Sequence, residues 1–539
     1  MKPFLTLHDP QTAREFYAQG LWKDDTFYSL MSDHADRRPD DIALLDGLTS
    51  LSWCALKARV DAMADSLLSH GIGTGDRVAI WMSNRIEAVI AFLACSREGI
   101  ACNPSLHRTY TCGEIVELLS ELSASALVTE DGWGADRDTV DLYALLKELP
   151  FLKKVYTPDT FPQYITGVDR TPHTNPDSVI YLAFTSGTTG KPKCVMHSCN
   201  TLLSNARDLA WDWALSEQTV LLTLSPLSHH IAWVACGQWL VSGGRFVTDY
   251  PPEGTDRLAW IVESGATYVL GVPTHAMDIL ADQKRQGMER LGQVQTFYMA
   301  GSAIPEVVAQ AFVDQGITPQ NIYGMTECSS HQYTHPGDPK EVWIQTCGRG
   351  GPAYEVKIWD PENPDVEVPR GQTGNIGGKG AAMMLGYFAN QTATENTMNR
   401  HGYLLSGDLG SFDINGNLRI EGRIKDVIIR GGHNINPSRI ESLTLEHKRV
   451  EKAAVFGLPD DRLGERVCLA LIGDVSPEEI LAHLAREGLS KYDMPEWLLD
   501  VDAMPLTASG KILKREMIDM VDRGELKPLQ VRYKMARAE

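Results

Sequence analysis

Long apolar runs, paired cysteines and an excess of positive charge are all missing from this chain, and each absence removes a class of function. No stretch approaches the roughly 20 apolar residues of a bilayer-spanning helix, and the opening MKPFLTLHDPQTAREF has no signal-peptide apolar core. Membrane insertion is not expected, and a cytoplasmic location is. The ten cysteines are scattered with no CxxC pair and no zinc-ligand spacing, so they read as reduced, mostly buried thiols. Against 70 acidic residues stand only 50 Lys and Arg, and the resulting net charge of −20 repels nucleic acid and anionic surfaces. Any anionic ligand has to be held by local features. No internal repeat or low-complexity segment is found. What is present is a 43% hydrophobic content spread over 539 residues, enough for several packed layers and more than one domain.

From Asp76 the pattern alternates: VAIWM reads as a buried strand, and Ile86, Val89, Ile90 and Leu93 recur at helical spacing before Gly99. The same strand-then-helix order returns at TYVLGVP followed by HAMDILADQ, and at TFYMAGS followed by PEVVAQAFVDQG. Such repetition predicts largely parallel sheets covered on both faces. After about Gly350, short strands and many turn signals suit a barrel-like or antiparallel region. Beyond Lys425, AAVFGLP and RVCLALI read as strands. SPEEILAHLAREG reads as a helix with Ser476 as N-cap, Pro477 at its first position, Glu479 closing a capping box and Gly488 as its stop. The expected fold is therefore α/β. A large N-terminal domain (residues 1–424) of doubly wound parallel sheets plus a β-barrel-like subdomain precedes a small, mobile α+β C-terminal domain (residues 425–539).

The stretch TSGTTGKPK, Thr185 to Lys193, looks like a phosphate-holding loop. A nucleotide-triphosphatase P-loop needs four residues between its glycines and a Ser or Thr after the lysine, whereas here two residues separate Gly187 from Gly190 and Pro192 follows Lys191. That motif is excluded. The segment still offers a run of backbone N–H groups, the hydroxyls of Ser186, Thr188 and Thr189, and two lysines, all suited to phosphate oxygens. VIYLAF before it reads as a strand, and CVMHSCNTLLSNARDLA after it reads as a helix. Taken alone, a solvated Gly/Thr turn fits as well.

The loop is one of six ordered blocks. YLAFTSGTTGKPKCVMHS, SPLSHHIAW, FYMAGSAIP, IYGMTECSS, YLLSGDLGSFDINGNLRIEGRIKDVIIRGGHNINPSRIE and MPLTASGKILKRE follow one another between Tyr181 and Glu516. Together they resemble the adenylate-forming superfamily, which comprises acyl-CoA synthetases, luciferases and peptide-synthetase adenylation domains. The resemblance implies an ATP-dependent acid–CoA ligase. It activates a carboxylic acid as acyl-AMP with release of pyrophosphate, then passes the acyl group to CoA, with Mg²⁺ on the phosphates.

Roles follow position by position from the resemblance. Lys511 matches the catalytic lysine, a mobile cation set between the α-phosphate and the substrate carboxylate, where fixed positive charge lowers the barrier. Glu327 matches the Mg²⁺ ligand and Thr326 a phosphate-contacting hydroxyl, and both count as catalytic. Thr185, Ser186, Gly187, Thr188, Thr189, Gly190 and Lys191 are the phosphate loop. Gly301, Ser302 and Ala303 form the adenine-side wall, and Tyr323, with Gly324 and Met325, the adenine platform. Asp408 matches the ribose-binding aspartate and Arg423 a ribose or phosphate donor. Lys425 holds the hinge position about which the small domain swings. In the swung pose, Gly431 and Gly432 are expected to approach the nucleotide and line the pantetheine tunnel.

His229, with His230 and Trp233 nearby, is assigned to the acyl pocket. A bounded pocket of this kind suits a small, medium-chain or aromatic acid. Two positions depart from the pattern, Asn375 in GNIGGKG and Arg439 in PSRIE, where acidic residues are usual. Two other readings stand beside the ligase: an adenylating enzyme that loads a carrier-protein phosphopantetheine, and a nucleotide sensor that no longer turns over. The residues set no oligomeric state, a homodimer being one option.

Overall fold

The computed structural model describes residues 3–164, 171–185, 192–507 and 511–533. Two mostly parallel sheets form the large domain. The first has eight strands in the order Ser329–Tyr333, Thr318–Met325, Thr296–Met299, Tyr268–Gly271, Val220–Thr223, Arg245–Thr248, Ile42–Leu45 and Ser50–Ser52. The second has six, in the order Lys154–Tyr156, Ala126–Thr129, Arg77–Trp81, Ala101–Asn103, Val179–Thr185 and Lys193–Ser198. Inner strands pair in parallel, and the antiparallel pairs lie at the edges. The expected alternation is present: Arg77–Trp81 leads into helix Ile86–Glu98, which ends on Gly99 in the left-handed conformation at φ 66°.

Apolar packing explains why the sheets join. Helices Phe27–Arg37, Trp53–Ser69, Ile86–Glu98 and His230–Ser242 share one large core. Inside it Trp53 stacks on Trp239 with ring centroids 5.2 Å apart, and Trp239 stacks in turn on Phe246 at 5.3 Å. All three rings are fully buried.

One expectation is corrected. CVMHS is not the start of a helix but strand Lys193–Ser198, which pairs antiparallel with Val179–Thr185. The helix begins at Cys199, because Ser198 is its N-cap and forms a reciprocal capping box with Thr201. The helix therefore starts after strand Lys193–Ser198 and not directly after Pro192.

The barrel-like region is a four-stranded antiparallel meander, Tyr354–Trp359, Gly374–Gly380, Leu404–Phe412 and Leu418–Arg423. The single turn Ile424–Asp426 separates it from a further sheet built around the hairpin of Val450–Asp460 and Gly464–Gly473. In that last sheet's domain, Ser476 caps helix Pro477–Arg486 as expected, with its hydroxyl accepting from the Glu479 N–H at 3.3 Å. Glu479 does not close the box, since its carboxylate pairs with Arg449 and with His447. Between the domains Lys452 Nζ lies 3.3 Å from Asp278 Oδ1 on helix Pro273–Gln286. Among the described residues no helix is long and apolar enough to cross a membrane, and nine of the ten cysteines are buried, all ten being free.

Truncating Trp239 to alanine removes the middle ring of the three-ring stack. A loss of about 3–5 kcal/mol is expected, to be read as a lower urea midpoint of the large domain.

Candidate active site

Several of the residues singled out from the sequence gather where chains leave the carboxyl ends of the parallel strands, the usual place for ligands in open α/β sheets. Gly301 follows strand Thr296–Met299, Thr326 and Glu327 follow Thr318–Met325, and His229 lies on the connection leaving Val220–Thr223. The C-terminal domain delivers Lys511 to the same place. There the Lys511 N–H donates to Thr507 Oγ1 at 3.0 Å and the Lys511 carbonyl accepts from the Thr507 N–H at 2.7 Å.

Gly301 has φ +97°, and a Cβ there would meet Lys511 Cε at 3.3 Å, Val272 Cγ1 at 3.4 Å and Ile231 Cδ1 at 3.7 Å. The lysine stem thus lies along the backbone of this loop, and only glycine leaves the space and accepts the conformation. Burial pulls the Lys511 ammonium down to about 8. Arg423 pushes the same way, while Asp408 and Glu327 hold it up. The cation therefore senses both carboxylates of the site.

Asp408 is fixed across two strands. Its Oδ2 accepts from the Tyr323 hydroxyl at 2.9 Å and its Oδ1 from Arg423 Nε at 3.0 Å, Arg423 being its cross-strand partner. A carboxylate has about four acceptor positions, so two remain open to a ligand's hydroxyls. Tyr323 itself is buried, with its hydroxyl pushed up by burial and by Asp408. Behind Asp408, Asn375 Oδ1 accepts from the Gly407 N–H at 3.0 Å. The unusual asparagine still supplies the oxygen that shapes this turn.

Thr326 and Glu327 form the turn between Thr318–Met325 and Ser329–Tyr333. Gly324 makes that turn possible, since a Cβ there would lie 1.9 Å from the Ser329 carbonyl oxygen. His197 Nε2 bonds the Thr326 carbonyl at 2.7 Å, and the Tyr387 hydroxyl donates to Glu327 Oε1 at 2.8 Å. Burial raises the Glu327 carboxyl above the ordinary range. Its other oxygen has no hydrogen-bond partner among the described residues, and Lys193 Nζ lies 4.8 Å from the Tyr387 ring centre. Among the described residues no group of three or more acidic, His or Cys side chains could hold a metal by itself. One open carboxylate oxygen fits Mg²⁺, which is commonly bound through few carboxylates together with substrate phosphates.

The histidines separate into two groups. His230 is buried and satisfied, with Nδ1 3.1 Å from the Tyr181 hydroxyl and Nε2 3.0 Å from Ser329 Oγ. Trp233 is 1% exposed. Its Nε1 donates to the Leu227 carbonyl at 2.7 Å and its ring packs on Phe92 at 4.3 Å. Both point from helix His230–Ser242 into the interior of the large domain. His229 precedes that helix and is half-exposed. Burial, together with Lys511, His107 and His275, holds it well below the ordinary imidazole range.

Of the remaining residues, Thr185 ends its strand with Oγ1 bonded to the Lys193 carbonyl at 3.3 Å, while Ser186 to Lys191 lie outside the described residues. Ser302 and Ala303 are exposed and Met325 is half-buried. Lys425 is exposed in the inter-sheet turn. Gly431 and Gly432 make the exposed turn between Ile428–Arg430 and His433–Ile435, where the Gly431 N–H donates to the Leu463 carbonyl at 2.7 Å. They belong to the C-terminal sheet and are not part of the Lys511 group. His107, His197, His275, Tyr387 and Asn375 join the site without having been singled out as site residues. Asn375 carried a signal, as a departure from an expected acid, and His197 lies one residue before the end of the phosphate-loop block.

A turn bearing a buried carboxylate, a cross-strand aspartate and a lysine carried in by a second domain suit a nucleotide-dependent, acid-activating enzyme. Comparison agrees. Residues 31–388 match the family model of the AMP-binding enzyme, and residues 439–511 that of the AMP-binding enzyme C-terminal domain. The chain belongs to this family, the adenylate-forming superfamily. It is 29% identical to the medium-chain fatty-acid–CoA ligase of Escherichia coli, over 95% of this chain and 93% of the relative. It is 31% identical to the salicyl-AMP ligase / salicyl-S-ArCP synthetase of Mycobacterium tuberculosis, over 94% and 92%. Its fold matches ATP-bound MatB from Rhodopseudomonas palustris with a TM-score of 0.80 at 25% identity, covering 92% of this chain and 98% of the other.

The Lys511 ammonium is charged below about pH 8 and neutral above it. If the charge is required, kcat/KM for pyrophosphate exchange, which reports the free enzyme, should fall as pH rises through about 8. Bound phosphates favour the cation, so the corresponding limb in kcat should lie higher. Gly301→Ala crowds the same lysine and strains the loop by about 1–3 kcal/mol, so exchange should drop about tenfold or more while ATP binding, measured by calorimetry, persists.

Proposed function

We propose that the protein is an ATP-dependent acid–CoA ligase acting on a small, medium-chain or aromatic carboxylic acid. The observation that carries this reading is the placement of Lys511 from the C-terminal domain against Gly301, beside His229 and within electrostatic reach of Asp408 and Glu327. A free carboxylate resists a thiol because its charge is delocalised and its oxygen leaves badly. In the first step a carboxylate oxygen attacks the α-phosphorus of ATP, the bond to the β-phosphate bridging oxygen breaks, and pyrophosphate leaves with the electron pair. Lys511 offsets the charge gathering on the α-phosphoryl oxygens. Asp408, held by Tyr323 and Arg423, fixes the ribose, Tyr323 flanks the adenine, and the segment from Thr185 to Lys191 takes the phosphates.

Glu327 would hold Mg²⁺ through its open oxygen, and the ion's chemistry is to neutralise and orient the phosphates. In the second step the C-terminal domain turns about Lys425, Lys511 withdraws, and the turn of Gly431 and Gly432 replaces it. The CoA sulfur attacks the acyl carbon, AMP leaves, and the thiol proton passes to solvent. CoA as acceptor is supported by the E. coli relative, a CoA ligase by name. The mycobacterial relative, named an ArCP synthetase, favours transfer to a carrier protein as the second reading.

Exchange of labelled pyrophosphate into ATP across a panel of acids tests the first step, and thioester formation with CoA as sole acceptor tests the second. Lys511→Ala should lower exchange by at least about 100-fold, the scale of one lost charge-stabilising donor. It should leave thioester formation from supplied acyl-AMP near the parent rate. Equal loss of both steps would overturn the two-pose assignment.

A further inference from the structure

Three imidazoles stand together where the acyl group must lie if Lys511 meets its carboxylate. His107 follows strand Ala101–Asn103, and its ring centre is 6.3 Å from that of His229. His275 lies in the first turn of helix Pro273–Gln286 and, like His107, adds to the field felt by His229. Each turns its Nδ1 inward. That of His107 bonds Ser228 Oγ at 3.0 Å, and that of His275 accepts from the Val272 N–H at 3.4 Å. That of His229 is buried with no partner. Among the described residues no Nε2 of the three has a hydrogen-bond partner.

A purely hydrocarbon acid would cover these edges and leave them unpaired, which weakens its binding. Burial holds His107 down to about 4 and His275 to about 3, so both are neutral near pH 7 and each ring has one donor and one acceptor nitrogen. His275, whose Nδ1 accepts, carries its proton on Nε2. Among the described residues a second carboxylate finds no free counter-charge here. Lys511 serves the carboxylate being activated, and Arg257, the other cation near His275, is paired with Asp249 at 2.9 Å. A hydroxyl, which both donates and accepts, matches neutral imidazole edges. Metal binding by the three rings is not supported, since no such ligand group exists among the described residues.

We propose that His107, His229 and His275 read a hydroxyl group, so that the preferred substrate is a hydroxylated carboxylic acid with the hydroxyl close to its carboxyl carbon. His107 and His275 are then specificity residues. This inference rests on the adenylation reading above.

The test is pyrophosphate exchange with matched pairs: 2-hydroxybenzoate against benzoate, and 3-hydroxyoctanoate against octanoate. At least one hydroxylated member should exceed its parent in kcat/KM by ten- to a thousandfold, mostly through KM. That ratio should collapse toward one in His107→Phe and in His275→Phe, with folding checked by ATP binding. Equal rates for both members of each pair in the unaltered protein would overturn the proposal, as would ratios unchanged in both variants. No exchange with any acid of a broad panel would instead bring down the adenylation reading, and this inference with it.

Discussion

A lysine ammonium pressed against a glycine backbone, partly stripped of water and carried by a domain other than the one it serves, is the constraint on which this site depends. At about 1.4 kcal/mol per pH unit, the fall from 10.5 to about 8 represents a few kcal/mol of lost preference for charge. Asp408 and Glu327 limit that loss. The large domain is accordingly arranged to receive a cation, although the carboxylates that receive it come from different sheets. Asp408 lies on the antiparallel meander, and Glu327 on the edge turn of the eight-stranded sheet.

Anchoring those carboxylates uses much of the local hydrogen bonding. Tyr323 links the two sheets through its hydroxyl, Tyr387 holds Glu327 in place, and His197 fixes the neighbouring carbonyl. None of these bonds needs a ligand, so the receiving half of the site is preorganised. The protein's overall charge of −20 opposes an anionic nucleotide, and these local donors and cations have to overcome it at short range, where screening leaves them effective.

Much of the fold was legible because its cause is periodic. Parallel strands and their helices announce themselves by uninterrupted apolar runs and 3.6-residue spacing, and the caps at Gly99 and Ser476 mark where helices stop and start. The hairpin of Val179–Thr185 and Lys193–Ser198 was misread because a buried edge strand and the first turn of a helix are equally apolar, and only the capping box at Ser198 distinguishes them. In the site, the positions fixed by long motifs, Lys511, Glu327, Asp408 and Arg423, come together. His230 and Trp233 do not join them, since adjacency along the chain put them on a helix facing the core while His229 lies before its first turn. His107 and His275 were invisible for the converse reason. They come from separate strand ends, 168 positions apart (275 − 107), and only the fold makes them neighbours.

The contact between Lys452 and Asp278 has a bearing on timing. Its two side chains are 24% and 52% exposed, so water and dissolved ions compete with it, and a pair of this kind contributes at most about 1 kcal/mol. A clasp so slight can orient the small domain without trapping it. In the two-pose reaction proposed above, release after pyrophosphate departs would need little thermal energy from this contact, and dissolved salt would become a means of biasing how long the domain dwells before it turns.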